Sequence, residues 1–426
     1  MKATKVLFSL IASSTALFSA EWPNYRGPTH DGKSTEKMQS VWPSNGFQPI
    51  WKTPTPNGFS SFSVGGRYAF TLVGREADGV PREVLVALDL KTGKEAWSAA
   101  FGPTRYGHDG GNAGAGSNKG GDGPRSTPAC DGDSVYVLSS DLVLAAFQNS
   151  DGKELWRRDL LKEHQGQNIS WKNAASPVID GDLIFVAAGG SEQSLLGINK
   201  KDGKTVWKGE SDKITHATPV PATIHGQRQI IFFTQKGLVA VKPTDGKVLW
   251  RHPFRYNVST AASPVVADDI VYCSAGYGVG ATAVQIANKG GQWSATELWR
   301  VTGDSQANHW STPIYKDGHL YGMFQFKEYG EGPIKCVELK TGKVKWSQPG
   351  FGPGNVIMVN GELLALSDTG QVVWIEATPA AYKEKGRFQA VDGKCWSTPA
   401  FQQGRLFVRS TKEGAAFDLS QKEARK

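Results

Sequence analysis

The chain has 426 residues, of which 39% are hydrophobic, with 50 glycines, 14 tryptophans and a formal net charge of +8. That composition excludes disorder and fits a turn-rich, β-rich protein longer than one ordinary core. Lysines and arginines are scattered, with no basic stripe of interleaved aromatics, which excludes a nucleic-acid interface. The 4 cysteines form no C-x-x-C, which excludes zinc-ribbon, thioredoxin-like and covalent-haem chemistry.

Residues 1–20 carry Lys2 and Lys5, then an apolar run from Val6 to Phe18, then Ser19-Ala20. This order of charge, apolar core and small residues predicts a secretory signal peptide and places the mature protein in the periplasm or outside the cell. The run is short for a membrane span, and no later segment is long enough for one. Residues 21–48 read as an extended segment that opens on Trp22-Pro-Asn-Tyr-Arg-Gly-Pro28. Ile50-Trp51-Lys52-Thr53 then has the texture of a strand without its partners.

A repeat follows. Ala87-Leu-Asp-Leu-Lys-Thr-Gly-Lys-Glu-Ala-Trp97 reads as a strand end, a tight turn and an outer strand. Variants of it end at Trp156, Trp207, Trp250 and Trp346, each with a Thr/Asp-Gly-Lys turn. Gly supplies the positive φ of a tight hairpin, and each Trp is expected to dock, largely buried, against the neighbouring repeat. Trp299 takes that role in an irregular copy lengthened by Asn288-Lys-Gly-Gly-Gln-Trp. In step with the turns, small-hydroxyl-proline triplets end at Pro128, Pro177, Pro219, Pro264, Pro313 and Pro399. The period is roughly 40–50 residues, that of a four-stranded propeller blade. The last interval is double, so a copy without the triplet is expected near Gly354-Asn355-Val356, and a further start lies at Ser60–Val64. Residues 49–418 are therefore expected to form an eight-bladed, all-β propeller. The C-terminal copy lacks its outer strand, so Ile50–Thr53 is expected to complete it, closing the ring and removing an open edge. Residues 419–426 form a charged tail.

The longest insertion, Gly107 to Gly123, is glycine-rich but matches neither phosphate-binding pattern, since no helix follows it; it reads as a loop on the propeller face. Cys130, Cys273, Cys336 and Cys395 fall in different blades and strand-like contexts, so buried free thiols are expected. Each triplet should begin an innermost strand, so the residues just before the triplets should ring one mouth of the channel. Arg125, Asn173, His216, His309, Trp310 and Trp396 stand there. Convergent polar groups with aromatic walls make them the candidate ligand-binding residues. Arg125 would hold an anionic group, a Trp would give a stacking face, and the histidines would orient the ligand.

The A-x-D-x-x-T-G-K-x-x-W string at Ala87–Trp97 resembles the tryptophan-docking repeat of the pyrroloquinoline-quinone (PQQ) repeat superfamily, and the resemblance covers nearly the whole mature chain. The WPNYRGP opening is similar to that of exported PQQ-like propellers of bacteria. The resemblance implies the eight-bladed fold. It leaves activity open, because docking motifs are structural. The superfamily includes quinoprotein alcohol dehydrogenases and non-catalytic members such as the propeller lipoprotein of the outer-membrane β-barrel assembly machine.

Such dehydrogenases would use a disulfide between adjacent cysteines and a calcium held by Glu, Asn and Asp. No two cysteines are adjacent here, and only Asn173 is placed to serve such a set. Against the lipoprotein, no cysteine stands at the end of the signal peptide, so no lipid anchor is expected. The sequence therefore points to an exported, monomeric binding or scaffolding propeller in the cell envelope, without metal or cofactor, whose partner is a protein or small molecule at the propeller face. A PQQ-dependent or divergent oxidoreductase is the alternative, and a carbohydrate-binding or carbohydrate-active propeller a second.

Overall fold

The computed structural model describes residues 21–103, 123–325 and 332–421. The expected signal peptide, all but the last residue of the 107–123 insertion and the end of the charged tail lie outside them. Among the described residues the only helix is the single turn Leu160–Glu163.

Eight sheets form eight blades of four antiparallel strands, the seventh joined by a short fifth, parallel strand, Lys33–Ser34. The triplets start the innermost strands as expected: Ala129–Asp131, Val178–Asp180, Val220–Ile224, Val265–Ala267, Ile314–Lys316 and Ala400–Gln402 each begin at the residue after the proline. Blade one begins with Ser63–Gly65 and blade seven with Asn355–Val359, where the repeat count required them. Pro49–Pro54 is the outermost strand of blade eight and pairs with Glu413–Asp418, Lys52 opposite Ala415. The two ends of the chain thus share one blade.

The hydroxyls of four of the six triplets join the blades around the channel, while those of Ser263 and Thr398 have no hydrogen-bond partner in the structure. The Thr127 hydroxyl accepts from the Ser61 N–H, Ser176 from Thr127, and Thr218 from Ser176, each at 2.9 Å. Thr312 accepts from the Ser263 N–H at 2.9 Å, and Ser61 accepts from the Thr398 N–H at 2.7 Å. At Thr127, Ser176, Thr218 and Thr312 the hydroxyl thus binds the preceding blade just before the chain enters its own sheet.

The tryptophans join the blades at the rim. Each faces a small residue on its cross-strand neighbour, as Trp97 faces Ala87 and Trp207 faces Gly197. The ring reaches over the turn of the next blade. The Trp97 Nε1 donates to Asn149 O at 2.9 Å, and a Cβ on Gly152 would lie 2.4 Å from the Trp97 ring. Gly152 also has φ 75°, so one glycine serves both the turn and the seat. Trp51, Trp156, Trp207, Trp299 and Trp346 likewise donate to Leu90 O, Lys200 O, Pro243 O, Leu339 O and Thr378 O of the following blades.

Two seams depart from this rule. Trp250 is 3% exposed but donates to Gln229 Oε1 of its own blade at 2.6 Å. The next blade has the long Gly280–Lys289 and Gln292–Val301 hairpin with no Thr/Asp-Gly-Lys turn to receive the indole. In blade seven the pair is inverted: Trp374 is on the third strand and Gly386 on the outer one. Trp207 is 8% exposed, and Trp97, Trp156, Trp299 and Trp346 are partly buried.

Residues 21–48 are not a simple extended lead. The inner strands begin at the triplets, so their far ends mark the opposite mouth, and the segment enters there. Trp22 pairs with Val64, Pro23 O accepts from Cys130 N, and Lys33–Ser34 runs parallel to the inner strand of blade seven. Arg26, 4% exposed, donates to Thr312 O at 2.9 Å and Pro313 O at 3.1 Å. The segment therefore plugs the channel. It then passes outward, where Trp42 and Phe47 pack edge-on to Phe388, and joins blade eight.

Candidate functional site

The triplet mouth is lined by the residues the repeat places there. The Arg125 guanidinium donates to Trp171 O at 3.1 Å and lies 5.7 Å from the Phe59 ring. Phe59 stacks on Trp396 at 5.0 Å, Trp396 lies 4.3 Å from Trp310, and Trp310 meets His309 edge-on at 4.3 Å. His309 in turn meets Tyr277 at 4.9 Å. Lys394 Nζ sits 4.9 Å from the Trp396 ring. Arg125, His309, Trp310 and Trp396 thus belong to one aromatic cluster carrying two cations.

Asn173 and His216 have internal duties. The Asn173 amide donates to Ser139 O and Ala175 O, and its oxygen accepts from Ala175 N. His216 donates from Nε2 to Ser170 O at 2.8 Å and accepts at Nδ1 from the Ser259 hydroxyl at 2.9 Å. That pattern fixes the neutral Nε2–H tautomer. Burial lowers its pKa to about 4, and burial followed by the proximity of His216 lowers that of His309 to about 3. Both rings are neutral at physiological pH and offer neutral polar contacts.

Sequence reasoning missed four residues of this mouth. Phe59 stands three residues before Phe62, as Arg125 does before Pro128; blade one lacks the proline, so it was not counted. Pro353 holds the same place in blade seven, and its carbonyl accepts from Trp310 Nε1 at 2.9 Å. Trp171 and Lys172 have φ of 65° and 61°. Two successive left-handed residues that are not glycine store backbone strain, and they turn the Trp171 carbonyl toward Arg125. No sequence pattern announces that turn.

The mouth does not fit a quinone with calcium. The Trp310 and Trp396 centroids are 4.3 Å apart, so no flat ring can enter between them, and Phe59 stacks on Trp396 as well. The four cysteines are buried, free and in separate blades. Burial pushes the thiols up, which makes them poor nucleophiles. Asn173 is committed to backbone. Among the described residues no group of three His, Cys, Asp or Glu could hold a metal ion.

Residues 81–348 match the family described as outer membrane protein assembly factor BamB. BamB of Yersinia pestis is 21% identical over 274 residues, covering 59% of this chain and 65% of that protein. BamB of Moranella endobia is 23% identical over 281 residues, covering 62% and 67%. The chain thus spans about two thirds of the length of the curated relatives it matches. The BamB structure from Moraxella catarrhalis superposes with a TM-score of 0.60 at 12% identity, over 89% of this chain and 99% of that one. Quinohemoprotein alcohol dehydrogenase from Comamonas testosteroni gives 0.65 at 12% identity, over 95% and 81%. At such identities the structural likeness shows the fold alone.

Proposed function

We propose that this chain, which belongs to the family of outer membrane protein assembly factor BamB, is a cell-envelope propeller that binds other proteins and carries out no redox chemistry of its own. The observation that carries the reading is the contact between Trp310 and Trp396. The faces that a quinone would need are spent on each other and on Phe59. The cations Arg125 and Lys394, set against these rings, suit an acidic, partly apolar protein surface. Relatives named as assembly factors support a scaffolding role. In this reading the protein is exported and acts as a monomer in the periplasm or outside the cell.

The test has two arms. Purified protein titrated with PQQ and calcium is expected to show no bound-quinone absorbance and no alcohol-dependent dye reduction. A photo-crosslinking residue at position 125, introduced in cells, is expected to give a discrete protein adduct in the envelope fraction. Robust turnover lost in Trp396→Ala would replace the scaffold by an oxidoreductase.

A further inference from the structure

The seam between blades seven and eight differs from its sisters. Gly386 stands at the register position that holds a docking tryptophan elsewhere. Blade eight has no hairpin turn to receive an indole, because its outer strand comes from the other end of the chain. The N-terminal segment supplies a substitute: Gly46, with φ 74°, sits over Phe388, and a Cβ there would lie 2.5 Å from the Phe388 Cβ. A phenyl ring thus replaces an indole. A cavity of about 420 Å³ remains beside it, floored by Phe47, Phe388 and Phe417 and rimmed by Lys52, Arg387 and Gln389. Its size falls in the range of small-ligand sites, about 300–1,000 Å³.

The lining carries two cations and, among the described residues, no carboxylate. Lys52 is paired with Glu413 and Arg387 with Glu384. Lys52, 38% exposed and held by one contact, can turn to an incoming anion, since such surface pairs hold their partners weakly; Arg387, forked on Glu384 and bonded to Gln371, stays in place and lends its charge to the rim. Glu384–Gln389 is also the outermost strand of its sheet, with one edge unpaired, ready for an added strand.

We propose that this seam is a recognition pocket for an aromatic side chain flanked by carboxylates, presented on an extended segment of a partner protein. The aromatic ring packs on Phe47, which is half-buried while Phe388 and Phe417 are buried behind it, the carboxylates meet Lys52 and Arg387, and the segment's backbone runs along Glu384–Gln389. The proposal rests on the protein-binding reading above but places the contact at the rim instead of the channel mouth.

The experiment is fluorescence anisotropy with labelled, acetylated peptides carrying one tryptophan between two aspartates. Control peptides carry lysines for the aspartates, or alanine for the tryptophan. The acidic aromatic peptide is expected to bind at least tenfold tighter than either control. Lys52→Glu with Arg387→Glu is expected to cost it at least tenfold and to improve the lysine peptide. Should that double variant unfold at a lower midpoint, Lys52→Gln carries the comparison, with a loss of at least threefold expected. Equal binding of the three peptides, or indifference to the substitutions, overturns the pocket. If adducts at position 125 persist when peptide binding fails, the pocket alone is lost; if both fail, the binding reading falls with it.

Discussion

The backbone N–H of Thr398 donates to the hydroxyl of Ser61 at 2.7 Å, joining residues 337 positions apart. This bond is the closing link of the hydroxyl belt and ties blade eight to blade one. Arg409 reinforces the same seam. It is 1% exposed, and it donates to Ser60 O, Thr71 Oγ1, Leu72 O, Thr55 O and Asn57 O. Burial without a carboxylate partner lowers its pKa to about 9.

The belt makes two neighbouring hydroxyls unequal. Thr127→Val leaves the buried Ser61 N–H without its acceptor and is expected to cost about 1–3 kcal/mol. The Ser126 hydroxyl, one residue away and 1% exposed, has no hydrogen-bond partner in the structure. Ser126→Ala is expected to be neutral or stabilising. Chemical denaturation of both variants checks the contrast; equal losses would remove the belt as the cause.

The rim tryptophans are expected to differ in the same way. Trp207→Ala removes a well-buried ring that is also bonded to the next blade and should cost about 3–5 kcal/mol. Trp250→Phe keeps most of the ring but strands Gln229 of the same blade. Its effect should be reversed by a second change, Gln229→Leu, as a double-mutant cycle in the unfolding midpoint would show.

Acid should weaken the fold through the mouth histidines. Their folded pKa values, about 4 for His216 and about 3 for His309, lie below the unfolded value of about 6.5. As pH falls below about 6.5, the unfolded chain takes up protons that the folded chain refuses. Stability is therefore full above that pH and declines steadily toward pH 4, by up to about 1.4 kcal/mol per pH unit for each histidine. The group facing His216 that opposes its protonation is Arg125, and His309 is opposed by His216 itself. The gap between urea midpoints at pH 5 and pH 8 should narrow in His309→Gln, with the remainder due to His216.

The plug should open when its anchor is removed. Arg26→Ala deletes the bonds to Thr312 O and Pro313 O. Residues 21–34 should then become sensitive to limited proteolysis and lose hydrogen-exchange protection while the blades hold. Unchanged protection would show that Trp22 and the Lys33–Ser34 pairing suffice.

The repeat was legible because it is set by local rules: a glycine turn, a proline that starts a strand, and alternating apolar residues. Those rules placed all eight blades, including the seventh without its triplet, and the shared eighth. They also pointed to Arg125, His309, Trp310 and Trp396, which the fold brings into one cluster. They were silent wherever a side chain takes its role from a distant segment. The Trp22–Pro28 stretch looks like any loop until Val64, Cys130 and Thr312 are brought around it. Trp250 ends a copy with its Asp-Gly-Lys turn intact, yet the receiving turn is missing from the blade that should supply one. Asn173 and His216 were read as ligand groups because sequence shows the residue type but not the carbonyls that occupy it.

Sharing one blade between the two ends fixes an order of events. The outer strand of blade eight leaves the ribosome first and its three partner strands last, so the ring cannot close until the whole chain has been delivered. Pairing across that separation is slow by its nature, since loop closure comes before the contacts that reward it. Until then Ile50–Thr53 and the edge at Glu413–Asp418 are open strands in a chain with seven blades forming around them. Such edges invite pairing with the wrong strand. Maturation is thus gated by the arrival of the C-terminus, and a nascent molecule depends on protection of its first strand for longer than that of any other.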